Sequence, residues 1–266
     1  MYRVFRVLSA ALVLVHLQFF SAHAQGILDN LDLTTPDMTE AELTREEVVA
    51  ILGRASPAAP VDLSGKRLSG LDLSNLDFTG AIFRAARLNN TNLRNATLDG
   101  AILDQAWMLK ADLTGASLRG VHAFQAQMIR AVLVDADLSG ARLASDLSYG
   151  NLTGANLSDA DLGADMQNQS MGLMRGVLRS ADLTGANLSN ARLSHVDFEF
   201  AKLIRTNLEN GDLSSATLGG ADLTGSNLNG AKFNRTDVTS TILKDVIGAE
   251  SSSLDKAVNL DRALRS

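Results

Sequence analysis

Large apolar residues recur at every fifth position along the middle of the chain. Ala111-Asp112-Leu113-Thr114-Gly115, Ala181-Asp182-Leu183-Thr184-Gly185 and Ala221-Asp222-Leu223-Thr224-Gly225 show the unit most plainly. With the Leu taken as centre, centres step in fives from Leu63 to Leu143, through Phe78, Phe83, Met108, Ala123 and Met128. They step again from Leu173 to Leu243, through Phe198, Phe233 and Val238. Helical faces repeat at about 3.6 residues and strand faces at about 2, so neither element explains a period of five. A chain that turns a corner every five residues does. Four units then close one turn of a square coil. The centre and the small residue two before it point inward, and the remaining positions face water. Gly, Asn and Asp suit the corners. A single coil cannot bury its own centre, so stacking of successive coils supplies the core.

The step breaks twice. Leu147, Leu152, Leu157 and Leu162 follow Leu143 one residue early, and the next centre in frame is Leu173. The loss and the gain cancel, since 143 to 173 is six whole units, so the two halves are expected to share the same faces. Residues 163–172 (GADMQNQSMG) form the expected bulge, either a small neutral excursion or a recognition loop. The flanks read as helical. Thr39 and Glu42 form a capping box for a helix over Met38–Leu52, whose apolar stripe is Leu43, Val48, Ile51 and Leu52. Gly53 ends it and residues 55–60 connect it to the coils. Ser253 opens a second short helix through Leu264. A solenoid exposes its axis at both ends, and caps are the role expected of both helices.

These residues resemble the pentapeptide-repeat family over about two-thirds of the chain, in some 36 units. The resemblance implies an all-β solenoid, a right-handed quadrilateral β-helix of about nine coils, with short α-helical segments at both ends. The organisation expected is a signal peptide at 1–24, an acidic arm with a helix and connector at 25–60, the β-helix at 61–243 and a helical cap at 244–266. The leader follows from Arg3 and Arg6, the apolar run Val7–Phe20 and the cleavage pattern ending at Ala24. Because such repeats are typical of bacteria, the expected location is periplasmic or secreted, with no membrane span once the leader is removed.

Placing the net charge of −6 changes the functional picture. Residues 25–53 hold seven acids and one base, whereas residues 54–243 hold 19 acids and 17 bases. The best-known members of the family protect DNA gyrase by resembling DNA, which requires a continuous acidic surface. A coil region this balanced fits that role poorly, and it lacks the basic stripe of a nucleic-acid binder. Cys is absent and only four His occur, so thiolate chemistry and a His-rich metal site are excluded. His122 and His195 are expected on different faces. Asp and Asn recur before the centres because the repeat needs a polar residue there, which accounts for the carboxylates without catalysis. No enzyme activity, cofactor or metal is expected.

One departure stands out. Ile82, Ile102, Trp107, Leu109, Phe124, Ile129, Val132 and Val134 occupy positions that should face water. An exposed apolar patch marks a contact surface, and Trp107, the only Trp, is a natural anchor. Either the N-terminal helix folds over it, or a partner protein or second copy of the chain docks there. The function expected is a structural or protein-binding scaffold of the cell envelope. The alternatives are a gyrase-interacting DNA mimic, or an envelope enzyme or enzyme inhibitor using loop 163–172.

Overall fold

The computed structural model describes residues 32–54, 56, 59–164 and 174–265. The chain divides into two compact units, residues 1–39 and 40–266. The described part of the first holds one helical turn, α1 (Pro36–Thr39). The expected leader falls outside the described residues, as do residues 165–172 of the expected bulge and the expected centre Leu173.

In the second unit, one pentapeptide shows why the repeat folds as it does. Ala111 and Leu113 are fully buried. Each of the five amides between them and the corner has an acceptor. Ala111 N–H closes the preceding corner on Met108 O at 3.1 Å. Asp112 N–H donates to Thr91 O of the coil before at 3.0 Å, and Leu113 N–H to Val132 O of the coil after at 2.7 Å. Gly115 N–H reaches Val134 O at 2.9 Å. That leaves the Thr114 amide, which donates to the Asp112 carboxylate at 3.0 Å. The recurrent Asp or Asn thus caps the one backbone donor that stacking cannot satisfy, and an unpaired buried amide is costly. Gly115 sits at φ 66°, the left-handed position of a type II turn. An added Cβ there would lie 2.6 Å from Asn95 Oδ1.

Repetition builds four sides, each a stack of single parallel bridges about 4.8 Å apart. Side 1 stacks Asp62, Ile82, Ile102, His122, Arg142, Asp161, Arg192, Asp212 and Lys232. Side 2 runs from Arg67 through Trp107, Gln127, Asp146, Val177 and Asp197 to Val258. Side 3 runs from Asp72 through Val132, Asn151 and Asp182 to Leu264. Side 4 runs from Asp77 through Asp137, Asn156, Asn187 and Asn207 to Ile247. The inward centres form one continuous core from Leu63 to Leu243.

The face assignment across the register break needs correcting. Arg142 pairs with Asp161, but Asp161 pairs with Arg192, and Asp146 pairs with Val177. Leu178 therefore follows Leu162 directly around the coil. Among the described residues no bridge of any side falls between Asp161 and Val177. The halves do not keep their faces by number: the second half is turned by two sides. His122 and the segment bearing His195 both belong to side 1, against expectation.

Both ends also differ from the sequence reading. The N-terminal helix is α2 (Arg45–Leu52), with Thr44 as N-cap and Glu47 completing the capping box. Thr39 and Glu42 do not start it, because Glu42 is used otherwise. Its N–H donates to Arg67 O at 2.9 Å and its carboxylate pairs with Lys66 at 3.3 Å. The Arg45 guanidinium donates to Asp72 O and Ser74 O. These carbonyls of the first coil have no earlier coil to bond them, so the cap supplies the donors. Val48 is buried in the core, with Leu43, Ile51 and Leu52 packed against it. Among the described residues of the C-terminus there is no α-helix. Three short 3-10 turns, Ala249–Ser251, Leu254–Lys256 and Leu260–Arg262, alternate with segments that rejoin the ladder. Val238 N–H donates to Val258 O and Leu243 N–H to Leu264 O, at 3.1 and 2.7 Å. The open amides of the last coil win over local helix propensity.

Candidate functional site

The outward apolar residues singled out by pattern are not gathered on one surface. Ile82, Ile102 and Phe124 belong to side 1, Trp107, Leu109 and Ile129 to side 2, and Val132 and Val134 to side 3. Only Phe124 is exposed, at 38%; the others are half-buried between neighbouring coils. Trp107 lies in its stack between Arg87 and Gln127.

Two larger exposed rings went unnoticed. Tyr149 (56% exposed) and Phe200 (60%) stand at the corner after side 2. Tyr149 N–H bonds Arg179 O and Ser180 N–H bonds Glu199 O, so Ser180 occupies the corner of the coil between them. Both rings sit at positive φ, 59° and 60°, where bulky side chains are uncommon. The Arg130 guanidinium lies 5.8 Å from the Tyr149 ring centre. The missed signal is positional: both residues sit two after a centre, where Gly or Asn is usual.

Side 2 also carries a charged cluster at the register break. Asp146, Val177 and Asp197 are stacked, and the Asp197 side chain is only 8% exposed. Arg179 pairs with Asp197 at 3.2 Å and with Glu199 at 2.6 Å, and Arg175 approaches Asp197 at 3.6 Å. Burial pushes the Asp146 carboxyl above its ordinary range, the Asp197 charge adds to this, and hydrogen bonds from Ser148 oppose it. Elsewhere the turn-capping carboxylates behave in the opposite way. Hydrogen bonds from the Ser64 hydroxyl and amide hold Asp62 low, and Ser74 does the same for Asp72. Such groups are ionised and committed to their turns, which suits structure and not acid–base exchange.

Side 1 holds a groove of about 540 Å³ beside the break. Phe124 and Ser194 bound it, Ala144, Gly163 and Ala164 line it, and His122, Arg142, Asp161 and Arg192 run along it. Among the described residues no cluster of three or more His, Asp or Glu could hold a metal ion. No described helix is long and apolar enough to cross a membrane.

No curated protein matches the chain in sequence. Among solved structures it is similar to HetL of the cyanobacterium Nostoc, a pentapeptide repeat protein involved in heterocyst differentiation regulation. That match has 26% identity and a TM-score of 0.53, and covers 84% of this chain and 100% of HetL. A second match is trypsin-treated QnrB1, a plasmid-mediated fluoroquinolone resistance protein, at 20% identity and a TM-score of 0.44. It covers 73% of this chain and 90% of that one. The pentapeptide-repeat family model matches in segments at 61–100, 83–115, 108–144, 125–168, 177–210 and 212–245. The family model, with the four-sided bridge ladder and the HetL match beside it, identifies the chain as a member of the pentapeptide-repeat family, a right-handed quadrilateral β-helix.

Proposed function

We propose that this chain is an exported, non-catalytic scaffold of the bacterial cell envelope, a solenoid of about nine coils that binds protein along its faces. The observation that carries this reading is the run of apolar side chains on side 2: Trp107, Leu109 and Ile129, continued by Tyr149 and Phe200 at the adjoining corner. Exposed rings at left-handed corners add nothing to the core and present contact area to a partner. Many of the coil carboxylates are engaged in turn capping or paired with bases on neighbouring coils, as in Arg119–Asp99, Arg94–Asp112 and Lys202–Asp182. Such pairing leaves little of the continuous negative field that a DNA-like surface needs. HetL, involved in the regulation of differentiation, is a precedent for this fold in regulation.

The test is affinity capture from a periplasmic extract, comparing the natural chain with Trp107→Asp and Phe200→Asp. Loss of the same captured protein in both variants supports side 2 as the contact face. Equal capture by all three removes it. Sequencing the N-terminus of the mature protein tests export, and a start at Met1 overturns it. A gyrase supercoiling assay tests the DNA-mimic alternative, with protection of gyrase the result that would revive it.

A further inference from the structure

We infer that the groove on side 1 is a binding site for a small ligand that carries a carboxylate or phosphate beside a flat apolar group. The site owes its shape to the register break. On side 1 the residue after the centre is Arg84, then Asp104 and Phe124, and then Ala144 and Gly163 before Ser194. At that position two successive coils therefore carry no long side chain, and a groove of about 540 Å³ opens between Phe124 and Ser194. Gly163 keeps it open: an added Cβ would come within 3.0 Å of Ser194 Oγ and 3.3 Å of Asp161 Oδ1.

The charges along the groove fix the ligand class. Both acids are already engaged. Asp104 accepts the Phe124 N–H at 3.0 Å and faces Arg84 at 3.8 Å. Asp161 accepts the Gly163 N–H at 3.1 Å and faces Arg192 at 3.5 Å. Arg142 stands between His122 and Asp161 in the same stack, is exposed, and forms no ion pair among the described residues. The uncommitted charge is therefore a guanidinium, which favours a planar carboxylate or a phosphate in a forked contact. Phe124 lies one coil from the small-residue floor and offers its ring to an apolar neighbour of the anion. The site lies on side 1 and does not depend on the protein-binding reading of side 2.

Isothermal titration of the full chain with phenyl phosphate, benzoate and inorganic phosphate tests this. At least one of the two aromatic anions is expected to saturate the protein and to bind several-fold more tightly than inorganic phosphate. The tighter of the two identifies the head group. Arg142→Gln should weaken it about tenfold, as loss of a charge-assisted contact does. Phe124→Ala should abolish the preference over inorganic phosphate. Both side chains are exposed, so unchanged far-UV circular dichroism will show that the variants keep the fold. Absence of saturable binding to either aromatic anion overturns the assignment, as does unchanged affinity in Arg142→Gln.

Discussion

Side 4 carries a ladder of side-chain amides whose direction makes a sharp prediction. Asn156 Nδ2 donates to Asp137 Oδ1 at 3.0 Å, and Asn187, Asn207 and Asn227 each donate to the residue one coil before at 3.1 Å. Each amide oxygen also accepts the backbone N–H two residues on, as Asn187 does from Ser189 at 3.1 Å. The first member needs only to accept, and it is an Asp; those above it must also donate, and they are Asn. Asn187→Asp keeps both acceptor contacts but removes the donor to Asn156, so two oxygens then face each other. Loss of one net hydrogen bond together with a partly buried acceptor clash costs about 1–2 kcal/mol. For a chain of this size that is a fall of roughly 2–8 °C in Tm. Asn187→Ala removes all three contacts and should cost about 3 kcal/mol. Asp137→Asn, which preserves an accepting oxygen, should stay within about 0.5 kcal/mol. The pH dependence separates this account from simple mispacking. A protonated carboxyl can donate to Asn156 again, so its pKa in the fold lies above the unfolded value of about 3.9. The deficit is then absent below that value and appears as the pH rises through the folded pKa. Thermal melts at about pH 3 and pH 7, followed by far-UV circular dichroism, read the difference. A deficit equal at both pH values, or no deficit at pH 7, would refute the donor argument.

The remaining predictions concern the register break, the core and the cap. Asp146 has its folded pKa raised by burial and by Asp197, so its ionised form costs stability that is lost as pH rises above the ordinary carboxylate range. Asp146→Asn retains an acceptor for the Ser148 N–H and should raise Tm at pH 7 and flatten the pH profile above pH 4. Leu183, fully buried, should cost about 2–5 kcal/mol as Leu183→Ala, read by urea unfolding. Arg45→Ala removes the donors to Asp72 O and Ser74 O and should cost about 1–2 kcal/mol, with amide exchange accelerated in α2 and the first coil and unchanged in the central coils.

What was legible in the sequence follows from what a pattern of letters can encode. A period of five with an apolar centre is a global constraint imposed on every coil, and it survives exceptions such as Ala123. The break is a local matter. Leu173 stands at a spacing that two sides of a coil would also give, and nothing in a leucine itself marks it as a centre. Only the bonds from Val177 to Ser145 O and from Gly176 to Leu162 O fix where the coil resumes. The N-cap was ambiguous for a similar reason. Thr39-Glu40-Ala41-Glu42 and Thr44-Arg45-Glu46-Glu47 both fit a capping box, and tertiary bonds to Arg67 and Lys66 decide between them. At the C-terminus the order is reversed, with ladder amides overruling a locally helical sequence. Tyr149 and Phe200 escape the pattern because they stand at the corner two residues after a centre, a position whose side chain the period of five does not constrain.

The regular units leave little room for a specific role, since most of their polar side chains are consumed by the coil. Departures from the repeat are where chemistry becomes available, and the break creates pairings that an unbroken chain could not have. At a uniform spacing of 20, Asp161 would meet residue 181 in the next coil, and Asp146 would meet residue 166. Because residues 163–177 stand between Leu162 and Leu178, the next centre around the coil, Asp161 meets Arg192 and Asp146 shares a stack with Asp197. The groove on side 1 and the buried charges on side 2 are thus two consequences of one insertion. A loop of that length is inexpensive, because closure entropy grows only slowly with the number of residues. The solenoid can therefore carry the insertion at small cost and gain, on adjacent sides, the two places where its surface differs in kind from the rest.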